Sequence, residues 1–307
     1  MIGFLPSVLL FSSTFAMAYG GTGSDQGYSI TRTADGGFAI TGSTYSAGAG
    51  GADLLVIKLD SVGNPKWAKA YGGTAKDFGY CILETANRDL VIAGETKSFG
   101  SGGSDILLIR TDSMGTLLWA TTFGGPLDDY AQSVIQTSDT GFAVVGISNS
   151  YGSGNGDCIL LKLSSTGNLS WARTYGGARL DLASDLIETS DGGLLIAGYS
   201  FSFSNPENSD LALIRTNSSG WPSWTRLFGG VNSDYAKSIA GTTDGNYVVV
   251  GSTYSFGSGQ YDFLVLKIDP SGTLIWARTF GDEDMEDALD VIGTREGGCG
   301  VVGEAQD

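Results

Sequence analysis

The sequence predicts an all-β protein folded as a β-propeller, and three observations support this. A unit of 52–53 residues repeats through the 307-residue chain. Each unit contains four short β-type runs, and turns rich in Gly and Ser separate them. No 3.6-residue periodicity persists for three turns, which argues against helices. Four antiparallel strands in roughly 50 residues are typical of one propeller blade.

The repeat is most visible in its tryptophans. An aromatic residue follows each of them by four positions, as Tyr71 follows Trp67, and then come a Gly pair and an Asp. The single extra residue falls in the loop between Gly198 and Asp210, where a true structural repeat tolerates an insertion. We interpret the tryptophans as packing between blades. Their spacings are 52, 52, 53 and 52: Trp67, Trp119, Trp171, Trp224 and Trp276.

Each unit divides into four strands in the same order. In the best-defined copy the runs are 130–137, 142–148, 158–163 and 168–175. Asp191-Gly192, in the turn between the first two runs of the next copy, supplies the positive φ of a tight hairpin. Small residues such as Ala131 and Ser133 in the first run suit a crowded innermost strand, so the Trp-bearing run is predicted to be outermost.

The repeat count predicts one domain of six blades spanning residues 1–307. The units are 15–66, 67–118, 119–170, 171–223, 224–275 and a partial unit, 276–307. Residues 2–10 and 12–19 are predicted to supply the third and fourth strands of the sixth blade, so that the termini close one shared blade. Alternatively, residues 1–18 are a signal peptide with a cleavage site at Ala16-Met17-Ala18, although a basic first region is missing. A solenoid is the rival fold, but the capping ends that it needs are not visible.

The repeat motif resembles that of a known family. W-A-R-T-Y-G-G with a following Asp, then T-x-D-G-G, G-x-S and D-x-x-L-x-K-L are similar to the secreted β-propeller repeats of bacteria and archaea, the SBBP-type family. The resemblance covers nearly all of residues 15–307. It implies the propeller fold and an extracellular or cell-surface location, and it implies no particular activity.

Composition excludes several classes of function. The net charge of −16 repels phosphate backbones, which argues against a nucleic-acid partner. The chain contains no histidine, so it lacks the usual general base and the commonest zinc ligand. No segment has the 18 or so apolar residues of a transmembrane helix. Cys81, Cys158 and Cys299 lie in different repeats and are interpreted as buried fillers, with their disulfide state left open.

The acids that open each inner strand are candidate metal ligands. In a closed ring they would surround one mouth of the channel, where their oxygens could hold Ca²⁺. The alternative is that each accepts hydrogen bonds from its own Gly-Gly loop. The candidates are Asp25, Asp77, Asp129, Asp181, Asp234 and Glu286. The acid run 282–287 has no EF-hand spacing and is interpreted as a solvated loop.

Aromatic residues in the second long loop of each unit are candidate ligand-binding residues. They are Phe99, Tyr151, Phe203 and Phe256, and Ala47 interrupts the series. They share a register and should lie on the same face as the acids, either contacting a ligand or covering the end of a blade. The basic residues of the third strands cannot converge around a ring, so an ion pair within each blade is predicted for them: Lys58, Arg110, Lys162, Arg215 and Lys267.

Two acids depart from the repeat. Asp185 and Asp290 replace the Ser found at positions such as Ser133, so both are predicted to face the channel. Paired carboxylates could serve a hydrolase acting on glycosides, but no positioned third group can be named.

The function favoured by the sequence is that of a non-enzymatic binding module without a cofactor, secreted or displayed on the cell surface. Its ligand would be a protein or a carbohydrate held on the loop face. The alternatives are a channel-sited hydrolase using Asp185 and Asp290, and a subunit of an extracellular assembly in which chains pair with one another.

Overall fold

The computed structural model describes residues 17–204 and 207–306, which form 22 strands and, among these residues, no helix. Strands follow one another in sequence within each sheet and pair antiparallel. The innermost strands are β1 (Asp25–Arg32), β5 (Asp77–Glu84), β9 (Asp129–Gln136), β13 (Asp181–Glu188), β17 (Asp234–Gly241) and β21 (Glu286–Gly293). The second strands are β2 (Phe38–Thr44), β6 (Leu90–Thr96), β10 (Phe142–Ser148), β14 (Leu194–Ser200), β18 (Tyr247–Thr253) and β22 (Cys299–Ala305).

The third and fourth strands complete five of the six sheets. The third strands are β3 (Asp53–Leu59), β7 (Asp105–Thr111), β11 (Asp157–Leu163), β15 (Asp210–Thr216) and β19 (Asp262–Ile268). The outermost strands, which carry the tryptophans, are β4 (Pro65–Tyr71), β8 (Leu117–Phe123), β12 (Leu169–Tyr175), β16 (Pro222–Phe228) and β20 (Leu274–Phe280). The all-β propeller architecture predicted from the repeat is therefore confirmed, with five four-stranded sheets and one of two strands among the described residues.

The core lies between consecutive sheets. Val91 and Leu108 of one blade, for example, pack against Val144 and Leu161 of the next, and all four are buried. The second and third strands expose almost nothing, because both faces of the sheet are covered by neighbouring blades. Burying such an aliphatic side chain contributes about 1.5–3 kcal/mol. Each blade therefore depends on its neighbours for stability.

A β-bulge interrupts every inner strand. In β9 the pairing shifts between Ala131 and Ser133, so Gln132 is the extra residue. Gly146 of β10 lies opposite the bulge, and a Cβ there would overlap with the carbonyl oxygen of Tyr130. The Gly that recurs in each second strand is thus required by the bulge in the strand beside it.

The tryptophans pack between neighbouring blades at the outer rim of the propeller. The ring of Trp119 packs under Gly167, in the turn between the third and fourth strands of the following blade. Trp67 does the same with Gly115, and its Nε1 donates to the carbonyl of Ser113 over 3.1 Å. The interpretation of these residues as inter-blade packing is confirmed.

The basic residue of each third strand pairs within its own blade, as the sequence predicts. Lys58 contacts Asp35 at 2.9 Å and Arg110 contacts Asp89 at 2.7 Å, in both cases joining the third strand to the first turn of the blade. Lys162 with Asp139, Arg215 with Asp191, and Lys267 with Asp244 repeat the arrangement.

The sixth sheet departs from the others in its second strand. Strand β22 is largely exposed, with Val302 at 61%, whereas its counterparts are buried. Tyr19 donates its hydroxyl to the carbonyl of Gly63, just as Tyr71 donates to Gly115. Tyr19 therefore stands where the outermost strand of a preceding blade ends. The predicted closure by residues 1–19 lies mostly outside the described residues, because residues 1–16 are not described.

Closure by the N-terminal segment predicts a change in oligomeric state. We expect the full chain to elute near 31.9 kDa. Deleting residues 1–16 should produce self-association, because an uncovered strand edge pairs with other chains. Adding Val302→Lys to the deletion should restore the monomer, since a charge on an edge strand opposes such pairing. Light scattering on the three proteins is the measurement, and a deletion variant that stays monomeric would contradict the closure.

Candidate functional site

The acids that open the inner strands do not converge on the channel mouth. Asp77 is fully buried and accepts hydrogen bonds from the backbone N–H of Gly73, at 2.9 Å, and from the hydroxyls of Thr96 and Ser98. Each acid therefore accepts hydrogen bonds from the loops next to it, as the alternative interpretation predicts. Asp25, Asp129, Asp181 and Asp234 accept the equivalent bonds, and Glu286 accepts one from Asp282 N. No group of three or more acidic or Cys side chains among residues 17–204 and 207–306 could hold a metal ion.

A second set of acids, which sequence reasoning did not single out as functional, faces the first. Asp53 opens strand β3, and its Oδ1 and the Oδ2 of Asp77 from the next blade both approach the position that a Cβ on Gly72 would occupy. Asp53 accepts a hydrogen bond from Ala49 N at 2.9 Å through Oδ2, while its buried Oδ1 has no partner. The same juxtaposition recurs between Asp105 and Asp129, Asp157 and Asp181, Asp210 and Asp234, and Asp262 and Glu286.

Burial makes these third-strand acids weaker acids than usual. It raises the pKa of Asp53, and the negative charge of Asp77 adds to the effect. Burial and Asp129 raise the pKa of Asp105 in the same way. At the four junctions whose inner-strand acid is Asp77, Asp129, Asp181 or Asp234, that acid has several hydrogen-bond donors and the third-strand acid has few.

The loop aromatics lie apart from one another, each at a junction between blades. The ring of Phe99 contacts Gly73 in the linker, where the side chain of Ser98 leaves no room for a Cβ. Their side chains remain 51–60% exposed. Beneath Phe99 is a groove of about 550 Å³ between β4 and β7–β8, lined by Tyr71, Leu107 and Ala120.

Similar grooves recur at the next two junctions. One of about 470 Å³ lies beside Tyr151 and is lined by Phe123 and Ile159. Another, of about 260 Å³, lies beside Phe203 and Tyr175. Phe99, Tyr151 and Phe203 thus line separate, similar grooves, and they do not combine into one site.

The central channel is a cavity of about 510 Å³ with two tiers of side chains. Because of the bulge, two consecutive residues of an inner strand line it. The first tier contains the extra residues of the bulges: Tyr28, Tyr80, Gln132, Ser184, Lys237 and Leu289. The second tier contains the residues that follow them: Ser29, Cys81, Ser133, Asp185, Ser238 and Asp290. Asp185 and Asp290 are therefore placed in the channel.

Hydrogen bonds join the second tier into a network. Asp185 accepts from Ser133 Oγ at 2.8 Å and from the backbone N–H groups of Leu186 and Ile239 at 2.8 and 3.0 Å. Ser238 Oγ lies 3.1 Å from Asp185 Oδ2 and 2.8 Å from Asp290 Oδ1. Burial raises the pKa of Asp185, although these hydrogen bonds act to lower it.

This network does not favour the hydrolase. A glycosidase needs two carboxyl groups that both face the scissile bond. Here Ser238 lies between the two, and both oxygens of Asp185 are already occupied by protein donors. Asp290 is the more accessible of the pair. The hydrolase stays a prediction without support from the geometry.

The cysteines are free thiols. Cys158 is buried in the core, and Cys81 lies in the channel wall, where burial raises the pKa of its thiol to about 11. At neutral pH the Cys81 thiol is protonated and therefore a poor nucleophile.

The acid run of the last unit is exposed from Asp282 to Asp284, as the interpretation of a solvated loop predicts. The interpretation is wrong for Glu286 and Asp287, because both belong to strand β21 and Glu286 is buried. The side chain of Asp287 reaches the neighbouring blade: it accepts from the Ser252 hydroxyl and lies 3.8 Å from Lys237 Nζ.

Comparisons with known proteins agree with the fold. Residues 242–274 match a family described as a "Domain of unknown function (DUF5122) beta-propeller". The chain is 27% identical over 217 residues to the regulatory protein FlaEY of Caulobacter vibrioides, in a match that spans 62% of this chain and 22% of that protein.

Two solved structures share the architecture at low identity. One is a glucose dehydrogenase, with a TM-score of 0.51, 10% identity and coverage of 92% of this chain and 96% of that one. The other is Sqt1 from Chaetomium thermophilum, with a TM-score of 0.50, 13% identity and coverage of 87% and 63%. Both show a shared fold alone. In the described part of the chain, no helix is long and apolar enough to cross a membrane. These observations together identify the chain as a β-propeller.

Proposed function

We propose that the protein is a binding module, secreted or displayed on the cell surface, that holds a protein partner through the loop aromatics. The observation that carries this proposal is the recurrence of one groove, with one exposed aromatic at its mouth, at successive blade junctions. The secretory location is supported by the acidic composition and by the resemblance to secreted repeats.

The chemistry of the grooves favours a protein over a carbohydrate. The walls of the Phe99 groove are mainly aliphatic, with Leu107 and Ile109 below and Leu117 beside them. Aliphatic walls suit Leu, Val or Phe side chains of a partner, whereas a sugar needs several polar groups to replace its bonds to water. Repeated grooves around one face can bind a repetitive partner, and linked contacts raise the overall affinity without any new contact.

An alanine scan of the aromatics tests this function. A peptide display library and a glycan array would be screened against the wild-type protein and a variant with Phe99, Tyr151, Phe203 and Phe256 all changed to Ala. We expect the wild type to select peptides rich in aliphatic and aromatic residues. Each single change should weaken binding by about tenfold, because an aromatic anchor contributes about 1–2 kcal/mol.

The matched control removes exposed apolar side chains from the outermost strands. Leu118→Ala and Ile275→Ala change residues that are 51% and 49% exposed and lie away from the loop aromatics. Both should bind like the wild type. Peptide binding that survives the fourfold variant would overturn the assignment of the grooves, and aromatic-dependent binding to the glycan array alone would replace the protein partner with a carbohydrate.

A further inference from the structure

The first tier of the channel differs from blade to blade. At the position of the bulged residue the six blades carry Tyr28, Tyr80, Gln132, Ser184, Lys237 and Leu289. The bulge itself and the Gly opposite it recur in every blade. These six different side chains make the channel asymmetric.

One wall of the channel is aromatic and its rings are held in place. Tyr28 and Tyr80 lie 5.4 Å apart between ring centroids and are tilted by 59°. Tyr80 is fixed further by a hydrogen bond of 2.8 Å from its hydroxyl to Glu95 and by stacking on Phe78. The Tyr28 side chain is 44% exposed. A flat apolar surface is therefore open to the cavity.

The remaining walls carry groups of both charges. Lys237 contributes an ammonium group, whose closest acid is Asp287 at 3.8 Å. Asp290 accepts from Ser238 and from Val291 N through Oδ1 alone, so Oδ2 keeps acceptor capacity toward the channel. A cationic ligand would meet Lys237 and an anionic one would meet Asp185 and Asp290, so neither is favoured.

We infer that the central channel binds a neutral saccharide, one pyranose residue of which stacks on Tyr28 and is hydrogen-bonded by Asp290 and Lys237. A pyranose has a face of C–H groups that suits an aromatic ring and hydroxyls that both donate and accept. The cavity is within the range of roughly 300–1,000 Å³ usual for small-molecule sites. This site is separate from the grooves of the proposed function and does not depend on them.

Ligand-observed NMR with defined probes tests the inference. Saturation transfer would be measured from the protein to methyl α-D-glucopyranoside, methyl β-D-galactopyranoside and N-acetylglucosamine, with spermidine and inorganic phosphate as charged counter-probes. We expect at least one glycoside to bind. Tyr28→Ala and Asp290→Ala should each weaken that binding by about tenfold, the effect of losing one good contact.

Three further variants make the result specific. Tyr28→Phe keeps the stacking face and should bind like the wild type, which separates loss of the ring from loss of the fold. Tyr45→Ala removes an equally exposed tyrosine that lies outside the channel and should have no effect. The fourfold variant of the loop aromatics should keep its glycoside affinity.

Three results would overturn the inference. The first is that no glycoside binds at tens of millimolar, and the second is that glycoside binding is unchanged in Tyr28→Ala. The third is that spermidine or phosphate binds in the channel with the dependence on Tyr28 and Asp290 expected for the sugar, which would assign the cavity to a charged ligand.

Discussion

Changing Gly251 to Ala should destabilise the protein by about 3 kcal/mol or more, the size expected for overpacking a buried site with backbone on the other side. Gly251 lies in β18 opposite the bulge of β17, and a Cβ there would overlap with the carbonyl oxygen of Tyr235. That oxygen belongs to the backbone, so no side-chain rotation relieves the overlap. Either the sheet separates or the bulge is lost.

Gly241→Ala is the matched control in the same blade. A Cβ on Gly241 meets nothing within 4 Å. Its effect should stay within about 0.5 kcal/mol. Urea unfolding of the two variants and the wild type gives the comparison directly. Equal midpoints for the two variants would show that the bulge does not require a glycine beside it.

Glycoside binding is a second measurement that tests the effect of Gly251→Ala, here on the channel. Lys237 is the bulged residue of β17, between Ala236 and Ser238 in the pairing with β18. If Gly251→Ala removes the bulge, Lys237 moves out of the first tier. Glycoside binding should then fall even where the variant remains folded at low temperature.

The repeat in the sequence was sufficient to predict the strands and their order. Trp119, Gly146 and Lys162 have equivalents at fixed spacings, and each serves a need that every blade has: rim packing, the bulge and the ion pair. A residue that recurs in every copy carries information on local geometry. The sequence therefore predicted the ion pairs and the role of the tryptophans as well as the fold.

The composition of the channel could be predicted only in part. Asp185 was recognised because it departs from the Ser of other copies. Lys237 and Tyr28 were missed because strict alternation places neighbouring residues on opposite faces of a strand. A bulge breaks that alternation and turns two consecutive side chains to one side. The signal available was the variation at the fourth residue of the inner strands, Tyr28, Tyr80 and Gln132 among them.

The sequence predicts that the loop aromatics and the acids share one face of the propeller, and it does not predict their radial positions. Connections of equal length at the same end of each sheet fix the face of Phe99 and Asp77. Their radial positions depend on packing against the linker, where Phe99 covers Gly73 and Asp77 is enclosed by Ser98. That packing involves residues from two blades, which a one-dimensional pattern does not reveal.

The carboxyl pairs between blades lead to a prediction about pH. Asp157 is buried, its Oδ2 accepts from Ser153 N at 2.7 Å, and its Oδ1 lies against Gly176 beside Asp181. Burial and the charge of Asp181 raise the pKa of Asp157 in the folded state. A raised folded-state pKa favours the protonated form, so the stability that this group contributes is present below its usual pKa and lost as the pH rises through the folded value.

Asn at this position should therefore stabilise the protein at neutral pH. Its side-chain oxygen can still accept from Ser153 N, while its amide can donate to the carboxylate of Asp181. We expect about 1 kcal/mol for Asp157→Asn at pH 7, because one buried negative charge beside a second carboxylate is removed. Combining it with Asp53→Asn and Asp105→Asn should give roughly 3 kcal/mol, since the three sites lie at separate blade junctions and act independently.

Asp139→Asn provides the control of opposite sign. Although burial opposes ionisation, hydrogen bonds from Lys162 and Thr137 lower the pKa of Asp139 to about 2. Its contribution is present above the usual pKa and is lost as the pH falls towards 2, so Asn should destabilise at pH 7 and much less in acid. The measurement is the free energy of unfolding from pH 3 to 8. Relative to the wild type, Asp157→Asn should become more stable as the pH rises, and Asp139→Asn should become less stable. An Asp157→Asn variant less stable than the wild type at pH 7 would mean that the carboxylate, despite its acidic neighbour, is stabilised where it lies.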